Sequence, residues 1–357
     1  MFPRVPGGPI PRLVSLATAV PPFDIAQSEV SERAVEAYAA TPNAAAWLAP
    51  IYVNAEIDNR HSCVPASWYL SEHSFSERNN LFLDNAVELL ARAARGALDE
   101  AGLAVDQIDA IVTVCSTGVA TPSLDARVME RLAFRRDVER LPIFGLGCAG
   151  GVLGLARAAA MAQARPDTHV LLLVVELCGL TFRLQDRSKS NLVATALFGD
   201  GAAAAVVSCR GEHQAKPRLG PWGEHTWPDS LGVMGWDVAD DGLKVVFSRD
   251  IPSLVRDDLR PIVDAFLARH DANLSNLAGF VCHPGGAKVL DALEDCFELR
   301  RGALNHARNV LRAHGNMSAA TVLFVLKETL ESAATGPQLM TTLGPGFTAG
   351  MLVVEAV

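Results

Sequence analysis

Cys148 lies in Leu141-Pro-Ile-Phe-Gly-Leu-Gly-Cys-Ala-Gly-Gly-Val-Leu-Gly-Leu-Ala156, where a short apolar run passes through glycines into small residues of helical character. A thiol at a strand-to-helix turn faces the unpaired N–H groups of the first helical turn, whose partial positive charge favours thiolate. The glycines allow close backbone approach and leave room for a ligand. An inert buried thiol is the competing reading, because free cysteine is often buried. Local cysteine signatures do not transfer between families, so a base and an oxyanion partner elsewhere must decide between the two. The same glycines, Gly145-x-Gly147-x-x-Gly150, also match the dinucleotide fingerprint of a nicotinamide enzyme. Against that stand the motif's position far into the chain, the cysteine at its centre and the distance to the nearest acid after the next strand, Glu176, 26 residues beyond Gly150.

Two further segments carry chemistry. Gly279-Phe-Val-Cys-His-Pro-Gly-Gly286 puts His283 at the end of an apolar strand, at the same kind of turn that Cys148 occupies. A lone histidine there is ordinarily a satisfied core residue; a neutral imidazole at such a turn can donate to an oxyanion or hold a thiolate. His314-Gly-Asn316-Met-Ser318 then precedes an apolar helix running to about Leu330. Asn316 is a favoured helix cap, and beside His283 its amide would complete a two-donor pocket for an enolate or thioester oxygen. Cys, His and Asn at three element ends form one constellation.

These residues need rigid elements behind them. Val14–Ala19 reads as a strand, Ser28–Tyr38 as a helix, and the polar stretch to about residue 80 shows little periodicity. Asn85–Ala101 is a strong helix stopped by Gly102, followed by the strand Ile108–Cys115, the helix Ser123–Leu132, the strand into Cys148, a small-residue helix to about Ala164 and the strand Val170–Val175. The alternation points to α/β layering. An internal repeat sharpens this: Leu197-Phe-Gly-Asp-Gly-Ala-Ala-Ala-Ala-Val-Val resembles the Gly-rich Thr342–Val354 segment, and Ile108-Asp-Ala-Ile-Val resembles Leu277-Ala-Gly-Phe-Val. Two similar halves, 1–210 with the cysteine and 211–357 with the histidine and asparagine, would place a site at their junction.

Composition bounds the partners. With 357 residues, half of them hydrophobic, the chain can bury a large core. A net charge of −9 argues against nucleic acid or an anionic membrane as general partners. Seven cysteines without C-x-x-C spacing offer neither a metal site nor a disulfide scaffold and are expected as free thiols in the cytoplasm. The proline-rich N-terminus lacks a basic-then-apolar signal, and no apolar run reaches the roughly 18 residues of a membrane span.

Taken together, Gly147-Cys148-Ala-Gly-Gly, Leu197-Phe198-Gly-Asp-Gly-Ala-Ala, His283-Pro-Gly-Gly, Gly315-Asn316-Met-Ser318 and Gly344-Pro345-Gly346 resemble, in family order, the motifs of type III polyketide synthases, the chalcone-synthase-like branch of the thiolase superfamily. Ser116-Thr117-Gly-Val-Ala-Thr-Pro and Glu176-Leu-Cys-Gly-Leu-Thr look more like the bacterial members. The resemblance implies a homodimer of five-layered αβαβα subunits. It also implies iterative decarboxylative condensation of malonyl-CoA onto an acyl starter held on Cys148, with His283 and Asn316 stabilising the enolate and Phe198 as gatekeeper. CoA thioesters are then substrates, with no metal or redox cofactor.

Carried over by motif, the pocket comprises Thr117, Cys178, Thr181, Phe198, Ser318 and Pro345, with Val245 where plant chalcone synthases have phenylalanine. The smaller side chain points to a long acyl starter and an alkylresorcinol or alkylpyrone product, and Cys178, where plant enzymes have threonine, reads as a pocket wall or a second reactive thiol. Plant members grip CoA phosphates with basic residues of an N-terminal helix, but the matching Trp47–Asn54 has no positive charge. Arg249, Arg60, Gly285 and Gly286 are the expected CoA contacts, and an acyl carrier protein is a second possible starter donor. A ketoacyl carrier-protein synthase III shares Cys, His and Asn but condenses once, and its asparagine motif differs from Gly-Asn-Met-Ser.

Overall fold

The computed structural model describes residues 8–38 and 44–356; the first seven residues of the proline-rich start lie outside them. In the first half, β1 (Arg12–Ala19), β4 (Ala110–Cys115), β5 (Glu139–Phe144), β6 (His169–Leu177) and β7 (Asp200–Ser208) form the order β1-β7-β6-β4-β5. In the second, β8 (Arg218–Thr226), β11 (Gly279–Cys282), β12 (Gly336–Gly344) and β13 (Thr348–Ala356) form β8-β13-β12-β11. The second order corresponds to β1-β7-β6-β4 strand for strand, and β5 has no counterpart among the described residues. β7 is antiparallel to both its neighbours, as β13 is, and β4 and β11 each run parallel to the strand beside them. A single pairing, Arg12 with Arg218, joins the sheets through β1 and β8. The repeat read in the sequence is this pseudo-symmetry: its two Gly-rich segments lead into β7 and β13, deep in their respective sheets.

Helices complete the layers. α5 (Gly150–Ala164) and α11 (Thr321–Glu331) fill the space between the sheets. A helix buried on all sides has no polar face to keep wet, and ten of the fifteen residues of α5 are buried. β6 is buried on both faces, so it reads as one apolar run. Val170, Leu172 and Val174 point to the middle layer, while Leu171, Leu173 and Val175 meet the outer helices α3 (Phe75–Ala101) and α4 (Leu124–Arg131). Beyond the second sheet lie α7 (Ile251–Leu254) and α8 (Arg260–Ala268), joined by one π-helical stretch, with α9 (Ala287–Cys296) and α10 (Asn305–His314). The five-layered αβαβα arrangement is thus present.

The stretch before residue 80 is more ordered than its lack of periodicity suggests. It holds β2 (Phe23–Ala26), α1 (Gln27–Ala37), α2 (Ala44–Val53) and β3 (Asn59–Ser62), with β2 and β3 paired. α3 starts at Phe75, ten residues before the expected Asn85, because Ser74 and Glu77 form a reciprocal capping box. The hairpin of β9 (Met234–Ala239) and β10 (Gly242–Phe247) lies over the site, and α6 (Lys189–Leu197) runs towards it.

Candidate active site

Cys148 sits in a single 3₁₀ turn, Gly147–Ala149, between β5 and α5. Two glycines make that position attainable. Gly147 has φ +47°, and a Cβ there would stand 2.6 Å from Pro345. A Cβ on Gly151 would meet the Ala319 carbonyl oxygen at 2.2 Å, so α5 closes directly on the Ser318–Ala320 turn that opens α11. The first turns of the two central helices therefore meet, one from each half. Cys148 Sγ donates to Ser318 Oγ across that contact at 3.6 Å. Ser318 holds a left-handed φ of +47°, a conformation costing about 1–3 kcal/mol in a non-glycine residue. Its N–H is anchored on Asn316 Oδ1 at 2.8 Å.

Asn316 is tied on three sides. Its N–H donates to the Leu197 carbonyl at 2.7 Å, its carbonyl accepts from Gly199 N–H at 3.1 Å, and its Nδ2 donates to the Gly285 carbonyl at 3.2 Å. His283 follows β11, with its backbone N–H on the Thr341 carbonyl at 2.9 Å. Its ring is buried, and neither ring nitrogen has a partner among the described residues. Burial lowers the imidazole to about 4, so it is neutral near pH 7 and one ring nitrogen carries a free N–H. An unpaired buried donor costs energy unless a ligand takes it.

The thiolate expected from the helix terminus is not the resting form. Burial pushes the Cys148 thiol up to about 12; the Ser318 hydrogen bond acts in the other direction, and the Glu176 carboxylate adds to the rise. Desolvation outweighs the terminal dipole here, and the pair at rest is a neutral thiol and a neutral imidazole.

Three spaces meet around this turn. A channel of about 770 Å³, counting open solvent at its mouth, is lined by Cys148, His283 and Asn316 between apolar walls that include Leu197, Ile251 and Leu343. On the other side of Cys148, a pocket of about 340 Å³ is bounded by Phe198, Trp236, Val245, Ser318 and Pro345. Phe198, Val245 and Cys178 form a wall of a third cavity, about 730 Å³, which extends to Ile25, Val30 and Ala34. The Phe198 ring divides the second space from the third and makes edge contacts with Trp236 and Phe247, at centroid distances of 6.2 and 5.7 Å.

The other expected residues scatter more widely. Thr181 lines the apolar cavity and bonds the Cys178 carbonyl at 2.7 Å. Thr117 turns instead to Glu176, donating at 2.8 Å. Gly285 lines the channel, whereas Gly286 backs onto Leu197. Arg249 is exposed next to Ser248, which lines the channel. Arg60 must be corrected: it is 5 % exposed, and its guanidinium donates to the carbonyls of Thr195, Ala196 and Phe198 and to Gln27 Oε1. Its Nη donors are committed inside the fold, which leaves it unavailable to a CoA phosphate.

Glu176, which opens the bacterial-type segment Glu176-Leu-Cys-Gly-Leu-Thr and lies too far from Gly150 for a nucleotide ligand, belongs beside this site. It is fully buried and accepts from Ser116 N–H, Ser116 Oγ, Thr117 Oγ1 and, at 3.5 Å, Ser318 Oγ. Burial raises it to about 7 against the pull of these hydrogen bonds. An acid at the inner end of an all-apolar strand is the signal that could have located it. Among the described residues, the group with metal-ligand spacing, His169, Glu212 and His213, includes the residue at the opposite end of β6.

The model of the N-terminal domain of chalcone and stilbene synthases matches residues 51–210, and that of their C-terminal domain matches residues 223–357. A protein of Bacillus subtilis described as a putative chalcone synthase is 37 % identical, over 96 % of this chain and 97 % of its own length. The 1,3,6,8-tetrahydroxynaphthalene synthase of Streptomyces peucetius is 38 % identical, over 96 % of this chain and 92 % of its own. The crystal structure of the enzyme of the same name from Streptomyces coelicolor superimposes with a TM-score of 0.91 at 28 % identity, covering 97 % of this chain and 99 % of that one.

Proposed function

Because the chain belongs to the chalcone and stilbene synthase family and is a type III polyketide synthase, we propose that it extends a long acyl starter carried on Cys148 with malonyl-CoA and releases an alkylresorcinol or alkylpyrone. The observation that carries the reaction is the unpartnered His283 ring sharing one channel with Cys148 and the Asn316 amide. In the loading step, Cys148 Sγ attacks the starter carbonyl, the thioester to CoA breaks, and the thiol proton leaves with the CoA sulfur. A malonyl thioester then places its carbonyl oxygen against the His283 N–H and Asn316 Nδ2–H. Its C–C bond to the carboxylate breaks, CO₂ departs, and the electron pair forms an enolate held by those two donors. The enolate carbon attacks the acyl carbonyl on Cys148, and the sulfur leaves with its electron pair. Nothing in this sequence calls for a metal or redox cofactor.

The large apolar cavity beyond Phe198 and Val245 supports a long starter. Relatives named for tetrahydroxynaphthalene and phloroglucinol support a second reading, a short starter and a compact aromatic product. Mass spectrometry of products from acetyl- to palmitoyl-CoA with malonyl-CoA separates the two. A preference for acetyl-CoA overturns the long-chain assignment, and a single extension in every product overturns iteration. With α2 uncharged, exposed basic residues beside channel-lining ones are Arg249, next to Ser248, and Lys288, next to Val289, so CoA would be held along its pantetheine arm with these two cations near its phosphates. Comparing loading from acyl-CoA with loading from an acyl carrier protein identifies the donor.

A homodimer is proposed on the edge strand β5, which pairs only with β4 among the described residues and exposes Leu141 and Phe144. Sedimentation should show a dimer that Phe144→Glu weakens. The seven cysteines are all free, which supports a reducing, cytoplasmic location, and no described helix is long and apolar enough to cross a membrane.

A further inference from the structure

Arg60 is a buried cation whose hydrogen bonds converge on one place, the end of α6. Nη1 donates to the carbonyls of Thr195 and Phe198, each at 2.7 Å, and Nη2 donates to the Ala196 carbonyl at 2.7 Å and to Gln27 Oε1. The last carbonyls of a helix have no intrahelical partner and carry its negative end. A planar fork satisfies several of them at once in a fixed geometry, which an ammonium cannot do. Gln27 completes the clamp by donating to the same Ala196 carbonyl at 3.1 Å.

What the clamp holds is the strip Leu197–Gly199. Its other edge is bonded to Asn316 through the Leu197 carbonyl and the Gly199 N–H, and Phe198 projects from it into the wall between the Cys148 pocket and the apolar cavity. Leverage on Phe198 is therefore direct: a guanidinium that moves takes with it the carbonyl of the residue bearing the ring.

We propose that Arg60 is a positioning residue for starter selection, which, by clamping the end of α6, sets where the Phe198 ring stands and hence which acyl lengths pass from Cys148 into the apolar cavity. This role rests on the condensation proposed above. The test compares the full-length wild type with Arg60→Lys and the milder Gln27→Met, reading the ratio of kcat/KM for palmitoyl-CoA to that for acetyl-CoA. The ratio is independent of the fraction of enzyme folded, so a purely structural role leaves it unchanged. Arg60→Lys, which keeps the charge and loses the fork, is expected to shift the ratio about fivefold or more, and Gln27→Met about twofold in the same direction. In a Phe198→Ala background, Arg60→Lys should shift it no further, because the two changes act through one ring. Where Arg60→Lys yields no folded protein, Gln27→Met decides by the same reading. Ratios that stay at the wild-type value, or an Arg60→Lys effect that persists without the Phe198 ring, overturn the proposal. A wild type that condenses no starter overturns the reaction and this role with it.

Discussion

Cys148 Sγ stands 3.6 Å from Ser318 Oγ, and Ser318 Oγ in turn stands 3.5 Å from Glu176 Oε1. The thiol is thus held by the second half of the chain through a serine and not through His283, whose ring nitrogens are left for a ligand. In the proposed reaction, attachment falls to Cys148 and oxyanion stabilisation to His283 with Asn316, and separate tasks can be removed separately.

Cys148→Ala should abolish acyl loading, read as the loss of the covalent mass increase with acyl-CoA. Decarboxylation of malonyl-CoA should continue, because both donors lie in the other half. Condensation from added acyl-CoA in this variant would remove Cys148 from its assigned role.

Asn316→Ala deletes the Nδ2 donor and the anchor of the Ser318 N–H together. Removal of one preorganised oxyanion donor costs about 10²–10³ in rate, so malonyl-CoA decarboxylation should fall by that order. An unchanged decarboxylation rate would show that the enolate oxygen is held elsewhere.

Val245→Phe places a ring where the Cys148 pocket and the apolar cavity share a wall. Overfilling a packed site costs about 1–3 kcal/mol, which corresponds to a drop of about fivefold to 150-fold in kcat/KM for palmitoyl-CoA. Acetyl-CoA, which need not pass that wall, should be affected far less. Equal losses for both would argue against the cavity as the acyl site.

Glu176 makes stability depend on pH in a direction opposite to most carboxylates. The folded state keeps its proton up to about 7, whereas the unfolded chain releases it near the ordinary value. Between those values the unfolded state binds fewer protons, so its contribution to stability is full in acid and is lost as pH rises towards 7. Glu176→Gln lacks this titration. The Tm of the variant relative to wild type should therefore climb between about pH 4.5 and pH 7; a flat difference would place an ionised carboxylate in the folded protein throughout.

The site was legible where a residue type is unusual for its local setting. Cys148, His283 and Asn316 each interrupt an apolar or glycine-rich run at an element end, and the structure lines one channel with all three. Glu176 gave the same kind of signal from within β6, but in the sequence it counts only for its distance from Gly150 and as part of a family motif, not as a buried acid beside Cys148. Arg60 was misread because an arginine near a candidate ligand-binding segment looks solvent-facing. Nothing local to Asn59–Ser62 reveals that the end of α6, about 135 residues later, supplies its carbonyl partners. The early start of α3 was visible in Ser74-x-x-Glu77 yet masked by the polar residues that follow.

Sequence alone determined the layered α/β class and singled out the two related halves and the three residues proposed for the reaction. Each follows from periodicity, repeated motifs and residue type, which are properties of short stretches of chain. Tertiary structure decided which groups are charged and which are unpartnered. The neutral thiol, the neutral unpaired imidazole, the protonation of Glu176 near 7 and the inward clamp of Arg60 all depend on burial and on partners brought together from distant segments. Desolvation is set by what surrounds a group in space, and no local stretch of sequence encodes it.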